Sequence, residues 1–369
     1  MAIDAQRLAE VEQTATRFAA RHIEPLAAEW DHGDPSFPLF VFARGREAGF
    51  DRLMLPESAG GYGFSPAEVA ALVAALARTC AGHAMVIGVH AALVATLHDA
   101  GAQAALAQVL ASEQPIAVAL PEPLSAGEFE TAVSAMLVGK DQYHLNGPAG
   151  LAINIAPAGF IIAFAKDAAG SPLALLAQAG QNDVAVGAAE LTLGLRAMPL
   201  AEVSFADHAL PSAQVIAAGE PANAFYRALL ANLCQVVAAA AVGVMQAART
   251  QALKYMAERY QGGKMIIDHE HLREMIGVMT ANQIAAEGAL SCVAERGPNF
   301  GAALGAKFAI TEAAVLLTTD AVQLLGGYGY MRDYGLEKRM RDAAMLALLP
   351  VANPRAALLL AALEKKTVS

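Results

Sequence analysis

Three glycines in four positions, Gly326-Gly327-Tyr328-Gly329, follow an apolar run that closes with Gln323-Leu324-Leu325 and lead into Tyr330. A short polar link then reaches Tyr334-Gly335-Leu336-Glu337-Lys338-Arg339-Met340-Arg341-Asp342-Ala343, which opens a second helix with alternating charge. Glycines so placed let the backbone enter left-handed conformations and bring its N–H groups close to another molecule. A pyrophosphate or nucleotide lying against a helix end suits that geometry. From the glycines alone, a helix C-cap and loop between two bundle helices is the simpler reading.

Composition narrows the choice. The chain has 369 residues and is 56% hydrophobic, enough for a large core and for two or three domains. Only 16% of residues are charged, which implies much buried surface between domains or subunits. A net charge of −10 argues against nucleic acid as a partner. The start of the chain reads as a polar amphipathic helix without the basic and apolar regions of a secretory signal. The most apolar long run, Val236 to Val244, is mostly alanine and reads as too short and weak for a bilayer, so no membrane insertion is expected. Cys80, Cys234 and Cys292 are scattered and lack metal spacing. They are expected to be buried thiols in a reducing, cytoplasmic setting, with no metal site.

Periodicity divides the chain. Residues 3 to 29 carry apolar positions at helical spacing. Pro35 and Pro38 mark a loop, and a helix from about Leu39 ends at Gly49. After the turn-rich Pro56 to Gly63 segment, Ser65-Pro66-Ala67-Glu68 is a capping-box start with proline at the first helical position. That helix reaches about Arg78, and two more run from about 84 to 111, so residues 1 to 115 form an all-helical domain. Short apolar runs at 132–138, 160–165, 174–176, 184–186 and 201–205, separated by turn residues, predict a small β-barrel or sandwich over 116 to 215. Helical period then returns at 222–259, 268–296, 300–325 and twice within 336–365, giving a C-terminal four-helix bundle over 216 to 369. The fold class is therefore α+β and mostly α.

The glycine turn and the charged helix start after it resemble the C-terminal signature of the acyl-CoA dehydrogenase family. That signature reads roughly Gln-x-x-Gly-Gly-x-Gly-(Tyr/Phe), then Tyr-x-x-Glu-(Lys/Arg)-x-x-Arg-Asp-Ala. Gln323, Gly326, Gly327, Gly329, Tyr330, Tyr334, Glu337, Lys338, Arg341, Asp342 and Ala343 match it. The proline-glutamate loop at Pro56 and the helical, β, bundle order are also similar to that family, so the resemblance spans nearly the whole chain. It implies FAD, an acyl-CoA substrate, α,β-dehydrogenation of the thioester, a role in fatty acid or lipid catabolism, a tetramer, and an electron-transfer flavoprotein as a possible partner. It also implies that the glycine turn touches the adenosine and pyrophosphate half of FAD held by a neighbouring subunit. Arg259, Gln261 and His269, in the run Glu258-Arg259-Tyr260-Gln261-Gly262-Gly263-Lys264 and the residues after it, would join that half-site with Gln323, Gly326, Gly327 and Gly329. A planar, fully charged guanidinium beside glycines is good pyrophosphate chemistry. Arg259 read without the resemblance is a solvated cation at a helix end, and His269 a surface residue at a helix start.

Dehydrogenation needs a carboxylate to take the α proton, a flavin to accept the β hydride, and a polarised thioester carbonyl. Here both family seats for the base are empty. Counting from Arg341-Asp342-Ala343 lands on Pro350, and no Asp or Glu occurs between Asp342 and Glu364. The alternative seat, on the first bundle helix, falls near Leu233, and no carboxylate lies between Glu220 and Glu258. The flavin-ring contacts are altered too. Leu120-Pro121-Glu122-Pro123-Leu124-Ser125-Ala126-Gly127 keeps Glu-Pro but loses the family's Gly-Ser-Asp, and of the family's Trp-x-Thr-Asn only Asn154 survives. An arginine that meets acyl-CoA in relatives aligns near Cys234, with Arg227 the nearest alternative.

Three functions follow from the resemblance. The first is a subunit of a hetero-tetramer that lends half of an FAD site to a catalytically intact partner chain, since family enzymes built from two unlike chains exist. The second is a self-sufficient homotetrameric flavoenzyme with a non-standard base or reaction. The third is a non-flavin acyl-CoA-binding or scaffold protein.

Overall fold

A computed structural model describes residues 5–32, 39–124, 127–155, 158–297 and 299–368. The expected loop at Pro35 and Pro38, residues 3 and 4 of the first expected helix, and Ser125-Ala126 lie outside them.

Among the described residues, six α-helices come first: α1 (Ala5–His22), α2 (Glu24–His32), α3 (Leu39–Glu47), α4 (Pro66–Ala77), α5 (Ala81–Asp99) and α6 (Gln103–Ala111). The single helix expected over 3 to 29 is in fact α1 and α2, parted at Ile23. Pro25 has no N–H to continue the ladder and fits the first turn of a new helix. The capping box at α4 is complete: Ser65 Oγ accepts from the Glu68 N–H, and the Glu68 carboxylate accepts from the Ser65 N–H at 2.7 Å.

Ten strands follow among the described residues: β1 (Ile116–Ala119), β2 (Glu122–Pro123), β3 (Phe129–Glu130), β4 (Ser134–Val138), β5 (Gln142–Ile153), β6 (Phe160–Asp167), β7 (Pro172–Gln178), β8 (Val184–Val186), β9 (Leu200–Pro211) and β10 (Val215–Ala218). All but the β2–β3 ribbon belong to one sheet, ordered β10-β7-β6-β1-β5-β9-β8. β4 joins the first half of β5 while also touching β6, and β1 joins the end of β5 beside the same β6, so the sheet curls. Its inner face is a separate core that includes Leu145, Ile161, Leu175, Val203 and Phe205.

The bundle comprises α7 (Glu220–Glu258), a hairpin of β11 (Tyr260–Gln261) and β12 (Lys264–Met265), then α8 (Glu270–Arg296), α9 (Phe300–Leu324), α10 (Leu336–Leu346) and α11 (Asn353–Val368). α7 is the axle: it packs on α4 and α5 of the first helices and on α8, α9 and α10 of the bundle. From Leu229 to Met245 every residue is buried, so that stretch is almost wholly apolar. That corrects the expectation about membrane spans. By length and hydropathy alone, α5, α7 and α9 are each long and apolar enough to cross a bilayer. In α5 and α7, 94% of the apolar window is buried inside this protein, against 39% in α9.

Candidate functional site

α7 stops at Glu258 because the chain turns back at once. Gly262 and Gly263 both have positive φ (66° and 85°), which is the two-residue turn that β hairpins favour. Tyr260 pairs with Met265 and Gln261 with Lys264. The hairpin is held from below. His269 Nε2 donates to the Gln261 carbonyl at 2.9 Å, Lys264 Nζ donates to the Asp268 carbonyl at 2.7 Å, and the Ile266 N–H donates to the Arg259 carbonyl at 2.8 Å. A carbonyl can only accept, so Nε2 carries the His269 proton. His269 thus buttresses the hairpin with one ring nitrogen.

α9 ends nearby, and Gly326–Tyr330 forms a short tight helix. Gly326 has φ 56°, and a Cβ on Gly326 or Gly327 would meet nothing within 4 Å. Gly329 is the opposite case: a Cβ there would sit 2.2 Å from the Val322 carbonyl oxygen. One end of the bend is open and the other is packed onto the last turn of α9.

Hairpin and bend share one surface. The Arg259 guanidinium lies over the Tyr328 ring, 5.9 Å from its centroid. Tyr328 packs on Tyr334 at 5.2 Å and on Tyr255 at 6.1 Å, and Gln251 donates a hydrogen bond to the Tyr334 carbonyl. Arg259, Gln261, Gln323, Gly326 and Gly327 are exposed, and Tyr328 keeps 44% of its surface. The sequence reading missed this tyrosine platform. The aromatic spacing was visible, but only the fold brings Tyr255 of α7 to the turn.

Asn154 is elsewhere. It is fully buried with φ 65°, its Nδ2 donates to the Val86 carbonyl of α5 at 3.1 Å, and its N–H donates to the Pro199 carbonyl at 3.1 Å. Its Oδ1 is buried with no partner among the described residues. The backbone at β2 is tied down by its own chain. The Pro121 carbonyl accepts from Tyr226 Oη at 2.8 Å, and the Pro123 carbonyl accepts from Arg355 at 2.6 Å. Arg227 Cγ and Cδ fill the space a Cβ on Gly127 would need. Leu233 is buried in α7, and Pro350 is half-buried in the link between α10 and α11.

The second half of the signature does structural chemistry. Arg341 bonds Glu337 at 2.6 Å within α10, Asp31 of α2 at 2.6 Å, and the Leu193 carbonyl at 2.9 Å. Lys338 bonds Asp342 at 2.6 Å, and Asp342 Oδ1 accepts from the Leu195 N–H at 2.7 Å. Burial opposes the charge on Asp31, but the Arg341 hydrogen bond and nearby cations outweigh it and hold its carboxyl below the usual range. Burial likewise opposes the Lys338 charge, yet Asp342 raises its pKa overall.

Comparison with known proteins places this architecture. Residues 6–112 match the model for the acyl-CoA dehydrogenase N-terminal domain, and residues 226–349 match that for the acyl-CoA dehydrogenase C-terminal domain. A 3-sulfinopropanoyl-CoA desulfinase of Paraburkholderia xenovorans is 30% identical over 360 residues, covering 94% of this chain and 92% of its own. The chain belongs to the acyl-CoA dehydrogenase family. An acryloyl-CoA reductase (NADH) of Anaerotignum propionicum is 28% identical over 350 residues, 90% of this chain and 88% of its own. Butyryl-CoA dehydrogenase from Megasphaera elsdenii has the same fold, with a TM-score of 0.90 at 23% identity, over 99% of this chain and 100% of that one. The signature from Gln323 to Ala343 thus divides here into an exposed, open part around Gly326, beside Arg259, and a buried, ion-paired part around Arg341.

Proposed function

We propose that this chain is a subunit of an acyl-CoA dehydrogenase-like oxidoreductase, and that it lends half of an FAD site to a catalytically intact partner chain. One observation carries the reading. Arg259, stacked on Tyr328, stands beside an open glycine bend on the surface, whereas the positions that would serve the chain's own chemistry hold Pro350, Leu233 and a buried, hydrogen-bonded Asn154.

The fit to half of an FAD is good. The Arg259 fork and the unobstructed backbone at Gly326 and Gly327 would hold the pyrophosphate oxygens, with Gln261 and Gln323 as exposed polar neighbours. FAD, when bound, supplies the acceptor for a hydride leaving the acyl β carbon. This chain's residues bind and orient; the proton-abstracting carboxylate comes from the unlike partner chain, in a hetero-tetramer acting on an acyl-CoA, with an electron-transfer flavoprotein as the onward acceptor.

Purification of the chain alone and after co-expression with an intact family member tests this. Absorbance from roughly 350 to 500 nm reports flavin. Colour and activity only in the pair support the lending role, and the Arg259→Ala chain in that pair should lose flavin. Retention of flavin by Arg259→Ala together with His269→Ala would sink the half-site.

The second reading is a homotetrameric flavoenzyme whose reaction needs no α-proton base. Two relatives carry the names reductase and desulfinase, and the Asn154 Oδ1, without a partner among the described residues, would leave an acceptor open on the chain's own ring side. Yellow protein from the chain alone would favour it.

A further inference from the structure

Lys307 lies on the inward side of α9 with none of its surface exposed. Its amine donates three hydrogen bonds, to the Ala347 carbonyl at 2.8 Å, the Val351 carbonyl at 2.8 Å and Asn353 Oδ1 at 2.6 Å. The three acceptors bracket Pro350, the middle of the link between α10 and α11. Asn353 is itself fixed, donating through Nδ2 to Thr311 Oγ1 at 3.0 Å and to Glu312 Oε1 at 2.7 Å, so its Oδ1 is aimed at the amine. An ammonium has three N–H donors and no acceptor, and this socket uses all three. A neutral amine has two donors and a lone pair, which would face an oxygen.

We propose that Lys307 is a proton-controlled latch on the link that carries Pro350: the ammonium holds the link in one shape, and loss of a proton releases it. Facing the amine are the Cys234 thiol of α7, pushed up to about 12 by burial, and the Glu312 carboxylate of α9. The link and α11 supply neutral acceptors. Burial is the largest influence on Lys307 and lowers its pKa from 10.5 to about 8, against the raising effects of Cys234 and Glu312. The amine is then mostly charged at neutrality and titrates just above it, while Cys234 stays a thiol.

Two effects of opposite sign result. The folded pKa lies below the unfolded value, so the unfolded chain binds more protons between about 8 and 10.5 and global stability rises with pH there. The link responds the other way. If it opens while the lysine stem stays in the core, the ammonium is buried without acceptors and its pKa falls further. Deprotonation therefore favours the open link. A local loss of order against a global gain is the signature.

Hydrogen exchange of the full chain in its native assembly, from about pH 6.5 to about pH 9.5 and corrected for intrinsic rate, reads both. The Leu349 and Asn353 amides, bonded to the Leu346 and Ala347 carbonyls, should lose about tenfold in protection, the worth of one charge-assisted hydrogen bond. Core amides of α9 such as Ala314 should hold or gain. Lys307→Met should leave the link unprotected at every pH. Should that variant fail to fold, the wild-type profile beside Cys234→Ala decides: a link step that persists without Cys234 supports the latch. A flat wild-type profile, a step shared by link and core, or a step abolished by Cys234→Ala overturns it.

Discussion

Gly326–Tyr330 and Glu337–Ala343 are adjacent parts of one signature, yet they end in opposite environments. The first stands open at Gly326 and Gly327 under the Arg259 guanidinium. The second is sunk between α2 and the loop before β9, where Arg341 is answered by Asp31 and Glu337 and Lys338 by Asp342, while Arg339 donates to the Arg78 carbonyl. A residue that must meet another molecule leaves its bonding capacity unspent in its own chain, and a residue that holds the fold does not. The same criterion separates Arg259 from Arg355, whose guanidinium is committed to Glu122 and the Pro123 carbonyl.

The largest test of that contrast is Arg341→Met. Removing one partner of a buried pair leaves an uncompensated charge at Asp31 and costs about 3–5 kcal/mol of unfolding free energy. Urea denaturation would show it as a lower midpoint at an unchanged slope. A loss under about 1 kcal/mol would mean that the network is ornamental. Acid adds a sign. The Asp31 pKa is held below its ordinary value of 3.8, so its contribution is present above that value and fades as pH falls through the depressed one. Acid unfolding of the wild type should therefore steepen below pH 3.8, and Arg341→Met should lack that component.

A middle-sized effect probes the packed end of the bend. Gly329→Ala drives a methyl into the Val322 carbonyl and should cost about 1–3 kcal/mol, the range for overpacking. Thermal unfolding that matched the wild type would show that the bend yields where it touches α9.

These regions differ in how plainly the sequence announces them. α7, α8 and α9 appear in the sequence because long helices repeat their apolar spacing many times, and the Ser65 capping box announces α4. β5 was unreadable because Gly147, Pro148 and Gly150 look like loop punctuation, whereas they lie in a strand of 12 residues whose pairing with β9 shifts register twice. Within the site, Arg259 and the glycines were visible as chemistry, and the Glu337–Arg341 and Lys338–Asp342 pairs as neighbours one helical turn apart. Asp31 was not, because its pairing with Arg341 crosses 310 positions and depends on how α2 docks. Lys307 was hidden for a related reason. A lone lysine in an apolar helix reads as one that reaches for solvent, and nothing local shows that three acceptors wait inside.

The smallest expected change in stability comes at the open end and is the sharpest test of what that end is for. Arg259→Ala should alter unfolding free energy by no more than about 0.5 kcal/mol, since its side chain is exposed and stacked on Tyr328. Gly327→Ala should go further and stabilise the isolated chain by about 0.4–1 kcal/mol, because its φ is not positive, its methyl meets nothing, and alanine narrows the unfolded ensemble. Yet the same methyl projects from a backbone whose N–H groups would have to approach a pyrophosphate, so flavin retention in the paired assembly should fall about tenfold, the worth of one charge-assisted hydrogen bond. A variant that is more stable alone and binds less well in the pair is the behaviour of a surface kept open for a ligand. If Gly327→Ala gained stability and kept its flavin, the bend would be a loop between two helices, and the contrast with Arg341 would be one of burial alone.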